Sequence, residues 1–232
     1  MQDIKNKTIY ITGGTKGIGL GIAKLAIENG MKVAISGRHI EKEVKFLFPA
    51  EDWLVIQSDV KNANDEVLAI KTIMDKWGKL DVLVANAGVG HFAPIDVITT
   101  DQWHETLNTN LTGVFNSVKA ALPSLKASKG YIITIASLAG TNFFANGSAY
   151  NTSKFGLVGF SQAIMLDLRP YQIKVTTIMP GSVATFFNQH IPDEKDQWKI
   201  QPEDIGQMVI DLLQMHPRTL PSKIEVRPSQ TS

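Results

Sequence analysis

Hydrophobic and polar positions fall into two alternating regimes along the chain. Short runs rich in β-branched and aliphatic residues, at 8–12, 32–36, 53–57, 81–85, 130–135, 173–179 and 223–226, predict strands. Several are almost continuously apolar, as in Val82-Leu83-Val84-Ala85, the pattern of a parallel strand covered on both faces. Between these runs apolar residues recur at helical spacing. Ile18, Ile22 and Leu25 precede an Asn29-Gly30 stop, and Val67, Ile70, Ile73 and Trp77 line a helix closed by Gly78. Ile205, Met208, Val209 and Leu212 follow Pro202 at i, i+3, i+4 and i+7. Strand, helix, strand throughout predicts an α/β fold: one doubly wound parallel sheet of about seven strands, with helices on both faces and right-handed crossovers. No linker interrupts the alternation, so one domain is expected to span residues 1–232.

Two longer helical stretches, about 101–125 and 148–168, are apolar on more than one face. Leu107, Leu111, Val114, Phe115, Val118 and Leu122 mark the first; Phe155, Leu157, Val158, Phe160 and Ile164 mark the second. One face of each packs on the sheet, and the other is left for long loops or for a second subunit to cover.

Composition narrows the function by exclusion. The 23 Lys and Arg against 22 Asp and Glu leave a net charge of +1, with no basic run to track a phosphate backbone, which argues against nucleic-acid binding. No stretch approaches the roughly 20 apolar residues of a membrane span. The polar residues 1–7 run directly into the first strand with no apolar leader, so a cytoplasmic protein is expected. Zero cysteines remove disulfides, thiolate catalysis and zinc-thiolate sites, and the five scattered histidines form no H-x3-H pair, so no metal is expected. There is no G-x-S-x-G elbow to make a hydrolase nucleophile.

The positive signals lie at the ends of strands. Strand one runs into Thr12-Gly13-Gly14-Thr15-Lys16-Gly17-Ile18-Gly19, which places glycines at a helix N-terminus where free N–H groups and the helix dipole attract a pyrophosphate. The spacing is G-x-x-x-G-x-G and lacks the G-K-[ST] ending of a P-loop; read alone, it is also compatible with a mere tight turn. At the end of strand two, where NAD-preferring folds carry an acid, the chain has Ser36-Gly37-Arg38-His39. A guanidinium there grips a 2′-phosphate, and Lys16 can approach the same group, so NADP(H) is the expected cofactor. Otherwise Arg38 is a solvated cation. Tyr150 and Lys154 stand at i and i+4, on one helical face, after a strand whose C-terminal end carries Ser137. Ligands in such sheets bind beyond the carboxyl ends of the strands.

Together these residues resemble the short-chain dehydrogenase/reductase family, and among its members the single-domain ketoreductases, β-ketoacyl carrier-protein reductases included. The resemblance rests on Thr12-Gly13-x3-Gly17-x-Gly19, Asp59-Val60, Asn86-Ala87-Gly88, Asn110, Ser137, Tyr150-x3-Lys154 and Pro180-Gly181-x-Val183-x-Thr185, in that order over nearly the whole chain. It implies a Rossmann-type sheet and a hydride exchange with NADP(H) that interconverts a ketone and a secondary alcohol. Tyr150 would give or take the proton, Ser137 would bond the oxyanion, and Asn110 would hold a water leading to Lys154. Asp59 and Val60 would meet the adenine, Asn86 and Gly88 the adenosine side, and Pro180, Val183 and Thr185 the nicotinamide, while Lys154 would also hold the nicotinamide ribose. A phenol of ordinary pKa near 10 would need the Lys154 ammonium and the oxidised nicotinamide to stabilise its phenolate. Asn86 and Asn110 have a plainer role available as loop caps, and Pro180-Gly181 as a turn.

Departures from the family pattern are Ala85, Ala136 and a C-terminus, Leu220 to Pro228, without the Gly-Gly ending of many tetrameric members. The expected assembly is a homodimer or homotetramer, the dimer being the more secure. The polar stretch 182–201 contains Phe186, Phe187 and Trp198, and is read as a substrate loop, either a lid or a surface loop anchored by its aromatics. Lys126, Lys129, Arg169 and Lys174 are weak candidates for docking an acidic carrier protein. The rival to an enzyme of small carbonyl substrates is an NADP(H)-binding sensor without turnover. The intact Tyr, Lys and Ser set argues against it.

Overall fold

The computed structural model describes residues 2–230. Seven strands form one sheet: β1 (Thr8–Ile11), β2 (Lys32–Gly37), β3 (Trp53–Gln57), β4 (Val82–Ala85), β5 (Tyr131–Ile135), β6 (Lys174–Pro180) and β7 (Lys223–Val226). Their order is β3-β2-β1-β4-β5-β6-β7 and every pairing is parallel. The expected strands all form, with ends displaced by about one residue at five of the seven.

The period of two along each strand divides the core. Ile9, Ile11, Val33, Ile35, Val82 and Val84 point to one face, where α1 (Gly17–Glu28) and α7 (Pro202–Gln214) cover them with Ile22, Ala26, Ile205 and Val209. Tyr10, Ala34, Leu83 and Ile132 point to the other, against α3 (Ala63–Trp77), α5 (Gly113–Ser128) and α6 (Ser148–Leu168). A short α2 (Lys42–Lys45) precedes β3. The chain order reverses between β1 and β4, so the loops leaving their carboxyl ends diverge and open a crevice.

Two expectations need correction. The 101–125 helix is interrupted: α4 (Thr100–Leu107) gives way to a π-turn at Asn108–Thr112 before α5 begins. The extra residue rotates the chain while keeping the apolar spacing close to helical, so the sequence pattern passes over it. On α3, Val67 is 56% exposed whereas Glu66 is fully buried. The carboxyl replaces an apolar contact because Ser58 Oγ and Tyr10 Oη donate to it at 2.6 and 3.1 Å, and burial raises its pKa. Of the two covers that the sequence left open for the outer face of α5 and α6, long loops do not supply one. Phe115, Phe155 and Leu166 stay 47%, 43% and 56% exposed among the described residues, and Phe115 packs edge-on to Phe160 at 6.3 Å.

Candidate active site

The glycine loop is shaped by sterics. Gly13 and Gly17 have φ of 64° and 55°, and a Cβ on Gly13 would stand 2.8 Å from the Ala87 Cα. Lys16 is the extended N-cap of α1 and offers no side-chain bond, so no side chain caps the first turn of the helix. Ser36 O accepts the Gly14 N–H at 2.9 Å, and Thr15 lies against Gly37, where an added Cβ would meet its methyl at 2.9 Å. The loop is thereby tied to the end of β2. Gly17 faces Thr185, 3.4 Å from its Cβ if a side chain were built, which brings the segment after β6 over the start of α1. Ile18 and Gly19 begin the helix itself.

Around this loop the expected binding residues divide by role. Arg38 sits at the end of β2, half exposed, with Nη1 3.4 Å from Glu105 Oε1, and Glu105 also bonds His91 at 2.9 Å. Lys16 is exposed beside Thr15. Val60 is buried under Gly113, and Asp59 accepts from the Lys61 amide at 3.0 Å. Asn86 works as a clamp: its Nδ2 donates to Thr12 O and Gly13 O at 2.9 and 3.1 Å, and Thr12 Oγ1 accepts from the Asn86 and Ala87 amides. The plainer capping role is therefore filled, with the amide directed at the protein's own loop. Pro180 closes β6, and Gly181 N–H pairs with Val226 O at 2.8 Å, so this pair extends the sheet edge instead of making a free turn. Val183 pairs with Ile200 in an isolated parallel bridge that pinches the two ends of the 182–201 segment together.

The reactive set gathers at the carboxyl edge of β5. Ser137 follows that strand and its Oγ accepts the Ala139 amide at 3.1 Å. Tyr150 and Lys154 lie on the first turns of α6, the Lys154 Nζ 5.7 Å from the Tyr150 ring centroid. Lys154 is 5% exposed; its Nζ donates to Ile135 O at 3.1 Å, and burial lowers its pKa to about 8. Burial raises the Tyr150 phenol, and a bond with the Ser137 hydroxyl pulls it partly back. Of the two charges expected to stabilise a phenolate, the Lys154 ammonium alone does not overcome that burial.

Asn110 sits in the π-turn. Its Oδ1 accepts Val89 N–H at 2.8 Å, and its Nδ2 donates to Val89 O at 2.8 Å and Ser153 Oγ at 3.0 Å. It thus holds the loop after β4. Gly88 lies in that loop between Asn110 and Lys154, where a Cβ would be 3.3 Å from Asn110 Oδ1 and 3.7 Å from Lys154 Nζ. The glycine loop, Gly88 and the Tyr150–Lys154 pair therefore follow one another along the carboxyl edge of the sheet.

A family profile described as short chain dehydrogenase matches residues 7–196. The chain belongs to the short-chain dehydrogenase family. It is 33% identical to trans-4-hydroxycyclohexanecarboxylate dehydrogenase of Sinomonas cyclohexanicum, over 78% of this chain and 74% of that one. Among solved structures, this short-chain dehydrogenase resembles an alcohol dehydrogenase of the archaeon Thermococcus sibiricus complexed with 5-hydroxy-NADP (TM-score 0.92, 25% identity, 98% and 99% coverage). It also resembles a metagenomic short-chain oxidoreductase in complex with NADP (TM-score 0.86, 29% identity, 99% and 100% coverage). Like its relatives, this short-chain dehydrogenase is an oxidoreductase.

Several residues of the site carry no sequence signal. Ser153 completes the Asn110 network, and Asn151 donates to Ala139 O and Asn142 O at 2.8 Å each, shaping the turn beside Ser137. Phe92 and Phe187 pack on the Tyr150 ring at 5.2 and 5.7 Å. Only Phe187 belongs to a segment that the composition singled out.

Proposed function

We propose that the chain is an NADP(H)-dependent reductase or dehydrogenase that interconverts a ketone and a secondary alcohol. The observation that carries this reading is the convergence of Ser137, Tyr150 and Lys154 at the same carboxyl edge of the sheet that carries the glycine loop. The residues present fit a dinucleotide. Gly13 and Gly17 leave a cradle that side chains would fill, the first turn of α1 carries no side-chain cap, and Gly88 leaves Lys154 within reach of the groove. Gly13, Thr15, Lys16, Gly17, Ile18 and Gly19 would hold the pyrophosphate; Ser36 and Arg38 the 2′-phosphate side; Asp59, Val60, Asn86, Ala87 and Gly88 the adenosine half; Pro180, Gly181, Val183 and Thr185 the nicotinamide half. The NADP complexes of the two structural relatives support the choice of cofactor. When bound, the nicotinamide exchanges a hydride with the reacting carbon.

The chain's own residues then handle the proton. In reduction Tyr150 donates its phenolic proton to the carbonyl oxygen; in oxidation it accepts the hydroxyl proton. Ser137 donates to the same oxygen and to the tyrosine in turn, stabilising charge as it develops. Lys154, with its pKa lowered to about 8, is charged or neutral over an ordinary range of pH and so can pass a proton onward. Asn110 keeps the wall of that path in place through Val89 and Ser153. The exposed apolar face of α5 and α6 supports assembly as a homodimer or homotetramer. The 182–201 segment, with Phe187 against Tyr150, serves as the substrate loop.

NADPH and NADH oxidation at 340 nm with a panel of ketones, run beside Tyr150→Phe, tests the reading. Turnover with NADPH that falls by about 10²- to 10⁴-fold in the variant is expected. Undiminished turnover in Tyr150→Phe removes the mechanism, and equal use of NADH removes the cofactor preference.

A further inference from the structure

Three loops that leave the sheet at its carboxyl edge each send one phenyl ring to the same place. Phe92 comes from the connection after β4, Phe144 from that between β5 and α6, and Phe187 from the segment after β6. The Phe92 centroid lies 5.2 Å from that of Tyr150, 5.9 Å from Phe144 and 6.3 Å from Phe187, and Phe187 lies 5.7 Å from Tyr150. Backbone holds the loops in register: Ala93 N–H donates to Asn146 O at 2.9 Å. Gly90 lets two of the rings meet, since a Cβ there would stand 2.6 Å from Phe187 Cζ and 2.9 Å from Phe92 Cε2. The three phenyls remain 37%, 48% and 37% exposed in the order Phe92, Phe144, Phe187. Apolar rings grouped around a reactive hydroxyl and left open to water are what an apolar ligand would cover.

Charge around the cluster is already engaged. His91 and Arg38 both reach Glu105, and His190 and Lys199 both reach Asp196, whose pKa they hold down to about 2. Among the described residues, Lys154 is the one cation that stands over any of these four rings, and it stands at Tyr150 and not at the three phenyls, with one of its N–H donors on Ile135 O. A carboxylate or phosphate on the reacting part of a substrate would lose its water among phenyl rings without gaining a counter-ion. A ring, by contrast, gains edge and face contacts with phenyls spaced at about 5 to 6 Å.

We infer that the substrate is a neutral ketone or secondary alcohol whose reacting carbon is part of, or bonded to, an alicyclic or aromatic ring, seated among Phe92, Phe144 and Phe187. The inference rests on the oxidoreductase reading above and names the substrate class of that site.

The test compares 4-methylcyclohexanone, acetophenone, 2-butanone and 4-oxocyclohexanecarboxylate as substrates of the wild type, Phe92→Ala and Phe92→Leu, each with NADPH and with NADH. Saturation-transfer NMR of acetophenone reports ring binding independently of turnover, and melting curves confirm that the variants fold. The expected result is a kcat/KM for the neutral ring ketones at least about tenfold above both 2-butanone and the carboxylate. Phe92→Ala should shrink that ratio to about threefold or less, and the apolar Phe92→Leu should keep more of it than alanine does. No ring preference, or a preference for the carboxylate, overturns the inference while leaving the oxidoreductase reading intact. Ring binding that Phe92→Ala abolishes, with no ketone turned over, supports the ring site and removes the ketone–alcohol reading. Neither binding nor turnover overturns both.

Discussion

The two halves of the candidate site are built on different principles. The glycine-loop half is made of backbone: Gly13, Gly14, Gly17 and Gly19 pass close to Ala87, Ile35, Thr185 and Gly13 O, and the Asn86 amide and Ser36 carbonyl hold the loop. The tyrosine half is made of side chains, with rings from three loops meeting at Tyr150, beside the buried Lys154. A backbone cradle accepts any ligand with the right charge and spacing. A side-chain wall can change its ligand one residue at a time. The difference teaches where recognition of the common cofactor and recognition of the particular substrate are kept apart.

Lys154 stands at the junction, so its removal should disturb the comparison most. Its folded pKa of about 8 lies below the ordinary 10.5, which means that the folded protein binds fewer protons than the unfolded chain between these values. The burial penalty is fully present below about pH 8 and fades as pH rises toward 10.5. Lys154→Met should therefore abolish most turnover, by about 10²-fold or more, yet stabilise the protein at pH 7 by up to about 3 kcal/mol. Denaturation of both proteins at pH 7 and pH 10 checks this; a stability difference that does not narrow with pH contradicts it.

A smaller effect should separate the halves. Arg38→Asp is expected to weaken NADPH binding by at least about tenfold, from the loss of a charge-assisted bond and the added repulsion. Turnover at saturating cofactor should hardly change. Fluorescence titration reads the affinity; equal NADPH affinity in the variant would mean that the guanidinium stays with Glu105. The smallest effect concerns the loop. Digestion within 184–199 should slow severalfold when NADP(H) and substrate are both present, and a rate that ignores them would make the segment a fixed wall.

The same division explains what could be read in advance. Most of the strands were legible because a sheet covered on both faces needs continuous apolar runs, and β7 by its alternating Lys223-Ile224-Glu225-Val226; the glycines were legible because they cluster between a strand and a helix, where Gly13 and Gly19 meet backbone that leaves no room for a Cβ and Gly14 meets the Ile35 side chain. Ser137, Tyr150 and Lys154 were legible from helical spacing and strand ends, and the resemblance added Asn110. The π-turn was not, since one inserted residue barely alters the apolar period. The inward Glu66 was not, because its partners Tyr10 and Ser58 come from two other elements. Phe92 and Phe144 had no periodic context, and their meeting depends on loops more than 50 residues apart. Ser36 and Arg38 were placed correctly at the strand end, but nothing local foretold that Glu105 would share the guanidinium.

The Val183 to Ile200 bridge gives the loop between them the character of an exchangeable cassette. Its two ends are already brought together by the sheet-side backbone, so lengthening the intervening chain raises only the closure entropy, about 0.6 kcal/mol per doubling. Evolution or a protein engineer can therefore replace the cover of this pocket wholesale, and retarget the chemistry beneath it, without renegotiating the fold.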